Sequence, residues 1–436
     1  MTTAAEAERF KKLYDVERHV MATDGGILVE DPYPAFAELR AQAPVHPASV
    51  RELLGYPVGR LSQRGGGPVY SAFSFEANDI VLRENEVFSS RIYSGLVTQL
   101  FGGRTILEMV GDEHRRYRAL AQPAFSPKRA QWWTDRWIAT LVDEAISAFE
   151  PSGRAELNAE LCSRIPLQTI TSSFGLSRQE ALDFREGAEG TGMQAVADTD
   201  PEVIRQRHER STEMLRRVIE DRRAHPRDDL ITALVQSEIA EDGERHLLTD
   251  DEIYGFSRLI LIAGSGTTWR QLGILLIALL REPDLLDAVR EDRNLLRRAI
   301  DEVVRWEPTD PIFRRLVTRD VTLCGVEVPA GAVMEMNLGS ANHDESRWDD
   351  PEHFDPYRPL KPNLGFAGGP HVCLGMHVAR AEMWVAMNAA LDRLPNLRFD
   401  PEVQNVRIIG LEHRGPSAIP VLFGTASTGE KEGRSA

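Results

Sequence analysis

Apolar residues recur three and four positions apart over 128–149, 157–174, 202–224, 229–240 and 250–280, and each stretch is predicted to be a helix. Glu282-Pro283-Asp284 marks a turn into a further helix that ends near Trp306. Nearer the N-terminus, Pro32 and Pro34 open a short helix over 34–43, and 69–73 reads as a strand. Between them, the Gly- and Arg-bearing run 59–67 reads as a surface loop. Past Trp306 the pattern shortens to β-like runs at 316–323, 326–328 and 333–336. A loop rich in Asp, Trp and Pro follows, then a last helix over 376–391 and a β-like tail over 406–422. The predicted class is mainly α with a minor β portion, in a single large domain over 31–423. Residues 1–30 read as an N-terminal extension and 424–436 as a polar, disordered tail.

Charge and composition narrow the function. Lys plus Arg total 51 against 67 Asp plus Glu, a net charge of −16, so no nucleic-acid partner is expected. Residues 1–12 have no apolar core, and the most apolar stretch, 259–280, is interrupted by Ser265, Arg270 and Gln271. Neither a signal peptide nor a membrane anchor is expected. Cys162, Cys324 and Cys373 lie far apart, which predicts no disulfide framework and a reducing, cytoplasmic setting.

The richest chemistry lies in Phe366-Ala-Gly-Gly369-Pro-His371-Val-Cys373-Leu-Gly375. One cysteine follows a loop holding Gly365, Gly368 and Gly369 and precedes the last predicted helix. Loop N–H groups and a helix N-terminus both favour thiolate over thiol. A lone thiolate suits an axial haem ligand rather than a zinc or iron–sulfur site. A tight turn ending in a buried structural Cys is the plain alternative. The pattern Phe-x-x-Gly-x-x-x-Cys-x-Gly resembles the haem-ligand loop of the cytochromes P-450, the haem-thiolate monooxygenases.

Other segments carry the same resemblance. Ala263-Gly-Ser-Gly-Thr267-Thr268 is similar to the family's oxygen-activating motif, which implies catalytic roles for Gly266, Thr267 and Thr268. It departs from that motif at Gly266, where the family has an acid. Glycines inside a helix cost roughly 1 kcal/mol each against alanine, so close helix packing or a ligand at the backbone must account for them. Glu302-Val-Val-Arg305, with Arg358, matches a buried structural triad. His114 and Arg118, one helical turn apart, match haem-propionate ligands; so do Arg315, chosen over Arg314 by its spacing to Asp320, and His371. With Phe366, Cys373 and Gly375 they complete the implied haem site, with Cys373 as the iron ligand.

The resemblance implies haem b (iron protoporphyrin IX), O₂, and a ferredoxin-type partner fed by an NAD(P)H reductase. The implied reaction is hydroxylation or epoxidation of a hydrophobic small molecule. A peroxide-driven enzyme and a non-catalytic haem sensor are the alternatives. Arg115, Arg116, Lys128, Arg129, His377 and Arg380 are predicted to form a basic patch that docks the ferredoxin. Substrate walls are expected in 90–105, 187–200, 259–267, 311–313 and 417–419, with Ile92, Tyr93, Leu100, Met193, Ile262 and Phe313 among them.

Overall fold

The computed structural model describes residues 11–23, 27–101, 103–188, 201–241, 244–403 and 405–425. The expectations for residues 1–10, for Met193 and for the end of the tail lie outside the described residues, as does the Leu100 side chain.

The site is positioned by helices α1 (Phe75–Arg83), α2 (Gly111–Ala121), α3 (Arg164–Ser173), α4 (Asp250–Gly266), α5 (Thr268–Arg281), α6 (Arg293–Trp306) and α7 (Met376–Arg393). Their starts follow from local side-chain chemistry. Ser74 caps α1 and Asp292 caps α6. Thr249 opens α4 with a capping box, its hydroxyl taking the Glu252 N–H while the Glu252 carboxylate takes the Thr249 N–H. Every residue of α5 from Thr268 to Leu280 is buried, as expected of a helix in the centre of a large core. The stretch 250–281 is the one helical run among the described residues long and apolar enough to cross a membrane, and 72% of its window is buried within the fold.

A five-stranded sheet flanks the helices. It comprises β1 (Val45–His46), β2 (Val69–Ala72), β3 (Phe88–Ser89), β4 (Ile312–Val317) and β5 (Val333–Asn337), in the order β1-β2-β5-β4-β3. β2 and β5 run parallel and the other pairs antiparallel, with Val333 opposite Leu316 and Phe88 opposite Val317. All five residues of β5 are buried, so this central strand shows no in–out alternation. Packing begins ahead of the expected boundary at residue 31: Leu13, Tyr14, Val16 and Val20 are buried in the main helical cluster.

Several sequence expectations are corrected. The helix expected over 229–240 stops at Val235, and a hairpin of Glu238–Glu241 with Glu244–Leu247 follows. The helix before Trp306 is two, Pro283–Glu291 and α6, divided at Asp292. The run at 316–323 starts earlier and splits into β4 and Val321–Leu323. The helix over 128–149 contains a π-helical turn at Thr134–Ile138. The run 59–67 is only partly a surface excursion, with Gln63, Arg64 and Gly66 exposed. It holds a helical turn, Arg60–Gln63, with Leu61 and Ser62 buried, and Ser62 donates to Glu335 on β5. Its periodicity was too short to signal a helix, and the buried Glu335 and Arg314 make Ser62 a core residue.

Candidate functional site

Cys373 closes its loop by donating its N–H to the Phe366 carbonyl, 2.9 Å away. The loop can press so close because two glycines carry no side chain. A Cβ at Gly365 would lie 2.1 Å from the Val304 carbonyl oxygen on α6, and one at Gly369 2.2 Å from the Leu82 carbonyl oxygen on α1. Gly369 also takes the left-handed conformation, φ +62°. Gly375 caps α7 and donates its N–H toward the Cys373 sulfur.

Electrostatics at the sulfur differ from the sequence expectation of a favoured thiolate. Burial pushes the Cys373 thiol up and outweighs the pull of the Gly375 N–H and of the Arg118 and Arg380 guanidinium groups. Yet Cys373 has accessible surface. Cys373 is thus surrounded by protein without being packed against on every side.

Four donors gather beside it. The His114 and His371 rings lie 4.0 Å apart between centroids. His371 Nε2 lies 3.0 Å from Ser90 Oγ, whereas the buried His114 Nε2 has no hydrogen-bond partner among the described residues. Burial, then Arg118 and Arg315, lower the His114 pKa to about 4. Burial, Arg315, His114 and Arg118 lower that of His371 to about 2. Arg118 makes no ion pair with a carboxylate among the described residues. Arg315 is buried and donates to the Arg314 carbonyl, with the Tyr93 hydroxyl beside it. The half-buried Arg118 and the buried Arg315 guanidinium groups thus repel two imidazoles with no carboxylate paired to them among the described residues, an arrangement that fits the carboxylates of haem propionates.

Arg314, by contrast, is fully committed. It forms a bidentate pair with Glu412 at 2.8 and 2.9 Å and donates to Ser62 at 2.8 Å. The neighbouring arginines are therefore separated by structure: one is neutralised in the core and the other is not.

A second uncovered surface lies on α4. Ala263 is exposed in the middle of a core helix, and Ile262, Gly264, Gly266 and Thr267 are half-buried, while Leu261, Ser265 and Thr268 are buried. One face of this turn is therefore left uncovered by the rest of the described fold. The sequence expectation of an unbroken helix is corrected here: α4 ends at Gly266, Thr267 has φ −107°, and α5 starts at Thr268. The Thr267 hydroxyl donates to the Ala263 carbonyl at 3.1 Å. A Cβ at Gly266 would meet nothing within 4 Å. Thr268 is turned into the core, away from the open face that Thr267 shares with Ala263.

The structural triad forms. Arg305 pairs bidentately with Glu302 at 2.7 and 2.9 Å, Arg358 donates to Glu302 at 3.2 Å, and all three are buried. Arg305 also donates to the Asn342 and Pro351 carbonyls at 2.8 and 2.9 Å, tying α6 to the loop before Cys373. The predicted basic patch is weaker than expected, because Arg115, Arg129 and Arg380 pair with Asp112, Asp228 and Asp301. Of the expected substrate walls, Ile92 and Ile312 are core residues, Ile262 and Phe313 are half-buried, and the Tyr93 hydroxyl accepts the Arg314 N–H at 2.9 Å. Sequence reading missed Ser90 and Tyr93 as partners of the donor cluster. Nothing local signals them, since 281 and 221 positions separate them from His371 and Arg314.

Comparison with known proteins fits this geometry. A model of the family described as Cytochrome P-450 matches residues 193–409. The chain is 30% identical over 378 residues to the cytochrome P-450 monooxygenase PikC of Streptomyces venezuelae, covering 85% of each. It is 32% identical to the methyl-branched lipid omega-hydroxylase of Mycobacterium tuberculosis, over 89% of this chain and 90% of that one. Among solved structures it resembles cytochrome P-450 CYP109Q5 from Chondromyces apiculatus, with a TM-score of 0.77 at 27% identity over 91% of this chain and 96% of that one. The chain belongs to the cytochrome P-450 family, as an oxidoreductase of the monooxygenase class.

Proposed function

We propose that this monooxygenase holds haem b between the Cys373 loop and the open turn of α4 and oxidises a hydrophobic small molecule. The observation that carries the reading is the uncompensated donor cluster beside Cys373: His114, Arg118, Arg315 and His371, with an orphaned buried His114 Nε2. These four would hold the propionates. Cys373 would ligate iron, which deprotonates a coordinating thiol even where burial disfavours the free thiolate. Phe366, whose ring lies 4.9 Å from the Arg380 guanidinium carbon, would shield the sulfur from solvent, and Gly375 supplies its N–H. When bound, haem activates O₂ to insert one oxygen atom into a C–H or C=C bond.

The Thr267 hydroxyl, which donates to the Ala263 carbonyl, holds a proton at the open face and would be the group there able to pass one on. Gly266 leaves room beside it for substrate or water. The half-buried Ile262 and Phe313 give that space an apolar border. The relative named a methyl-branched lipid omega-hydroxylase accords with a hydrophobic substrate. Electrons would come in the cytoplasm from an acidic ferredoxin and its NAD(P)H reductase, docking near Arg115 and Arg116. Reversing both to Glu should slow reduction several-fold and flatten its salt dependence, since charge governs such encounters.

The test compares product formation with NAD(P)H, reductase and ferredoxin against peroxide alone. Product that needs the reductant and O₂ supports the reading. Product from peroxide alone would favour the peroxide-driven alternative, and none from either would favour a sensor.

A further inference from the structure

Helix α2 carries two of the four donors, His114 and Arg118, one turn apart, yet its own start does little to fix it. The residue at its N-cap is Val110, which offers no side-chain hydrogen bond to the first turn. The hold comes from α4. Tyr117, next to Arg118 and half-buried against the main core, donates its hydroxyl to Glu252 Oε1. Glu252 Oε2 accepts the Thr249 N–H at 2.7 Å and the Thr249 hydroxyl at 2.8 Å, in the capping box that opens α4. One carboxylate thus closes the first turn of α4 and grips α2, 135 positions away. Burial raises its pKa, but the hydrogen bonds from Tyr117 and Thr249 outweigh burial and leave it below the ordinary carboxyl value. Glu252 is therefore ionised at neutral pH, and hydrogen bonds to a charged acceptor are roughly twice as strong as neutral ones.

A second tie runs alongside. A Cβ at Gly103 would lie 2.9 Å from the Asp251 carbonyl oxygen, and one at Gly255 3.2 Å from the Arg104 carbonyl oxygen, so the backbone at 103–104 presses on the first turns of α4. Arg104 pairs with Glu113 of α2 at 2.7 Å, but its side chain is 59% exposed, and such surface pairs contribute only about 0–1 kcal/mol. The firm link is Tyr117. From Glu252 the helix runs unbroken to Gly266, roughly 20 Å at 1.5 Å per residue. The same rod bears the Tyr117 contact at one end and the open turn at the other.

Resting on the monooxygenase reading above, we propose that Tyr117 is a positioning residue: through Glu252 it fixes the turn of α2 that bears His114 and Arg118, and it joins those donors to the open turn at the far end of α4. Haem carboxylates would be met by donors already held in place. An occupant pressing on Ala263 to Thr267 would be felt at His114 and Arg118.

The test uses the haem-loaded protein. Tyr117→Phe removes one oxygen and keeps the ring that packs against the core. It should shift the propionate-bending band in the resonance Raman spectrum. It should also raise the rate of haem transfer to apomyoglobin about ten-fold, the scale on which loss of a group that orients a ligand weakens binding. 4-Phenylimidazole, a hydrophobic probe that fills the open side of the haem, should move the propionate band in wild type and leave it unmoved in Tyr117→Phe. Should Tyr117→Phe fail to retain haem, Glu252→Gln serves; it keeps the capping box, weakens the grip on Tyr117, and should give smaller changes of the same sign. If either the propionate band or the transfer rate is unchanged, or if the azole response is equal in the two proteins, the proposal is overturned. A wild type that binds haem without the red-shifted reduced carbonyl spectrum would overturn the monooxygenase reading alone, because the propionate band is read whatever ligates the iron.

Discussion

The two walls of the site are built on opposite principles. On the cysteine side, backbone meets backbone: Gly365 against Val304 and Gly369 against Leu82, with no space for one added carbon. Arg305 and Arg358 fasten the preceding loop to Glu302 and to main-chain carbonyls. On the α4 side the helix is interrupted at Thr267, Ala263 is exposed, and Gly266 borders open space. A ligand sulfur must be held in one place, which close packing achieves. A wall that admits substrate must leave room and keep few fixed groups. The same residue type therefore has two meanings: glycine as a tight fit on one side, glycine as free volume on the other.

The largest expected effect tests the rigid wall at its centre. Cys373→Ser should abolish the red-shifted reduced carbonyl spectrum, whereas Cys162→Ser, fully buried in the helical core, and Cys324→Ser, at a hairpin turn, should keep it. A retained spectrum in Cys373→Ser would dissolve the distinction between the walls. Next come the glycines themselves. Gly365→Ala or Gly369→Ala should cost about 2 kcal/mol or more and impair haem incorporation, because rigid backbone must move. In the open wall, Gly266→Ala should raise stability by about 0.5–1 kcal/mol through helix propensity. Thermal unfolding of the three variants decides whether glycine plays two roles or one.

Within the open wall, Thr267→Ala should lower product per reductant about ten-fold, as expected for loss of a proton-handling group. Thr268→Ala should do less, because Thr268 is buried away from the open face. Equal losses would show that the break in the helix does not separate the two hydroxyls. The smallest effect concerns pH. The folded protein holds the Glu382 proton up to about pH 8, against an ordinary carboxyl value of 4.5. The fold then binds a proton that the unfolded chain releases, so this group's contribution to stability falls as pH rises from 4.5 toward 8. Denaturant unfolding across that window should show a steeper decline in wild type than in Glu382→Gln.

Much of the rigid wall was legible in the chain. The Cys373 loop, the Glu302–Arg305 pair and the strand Val326–Val328 depend on short-range patterns, and the structure has them where those patterns put them. The preference for Arg315 over Arg314 rested on spacing to Asp320; the structure adds that Arg314 is taken up by Glu412 and Ser62, residues 98 and 252 positions away. The run 59–67 was misread because its apolar content is low, and Ser62 is buried only through polar partners on a distant strand. The first strand of the hairpin Glu238–Leu247 was misread because Ile239 continues the helical spacing from Val235 up to the turn.

By itself the sequence determined which residues could bear the chemistry: a lone cysteine after glycines, paired histidines and arginines, a threonine after a glycine. Residue type and short spacing are local properties, and they are written in the chain. Only the tertiary structure decided which of these groups are neutralised and which are left wanting an anion, and where the long core helix breaks. It also decided that Glu382 lies buried. Burial and charge pairing are set by groups far away in the chain, and no local pattern records them.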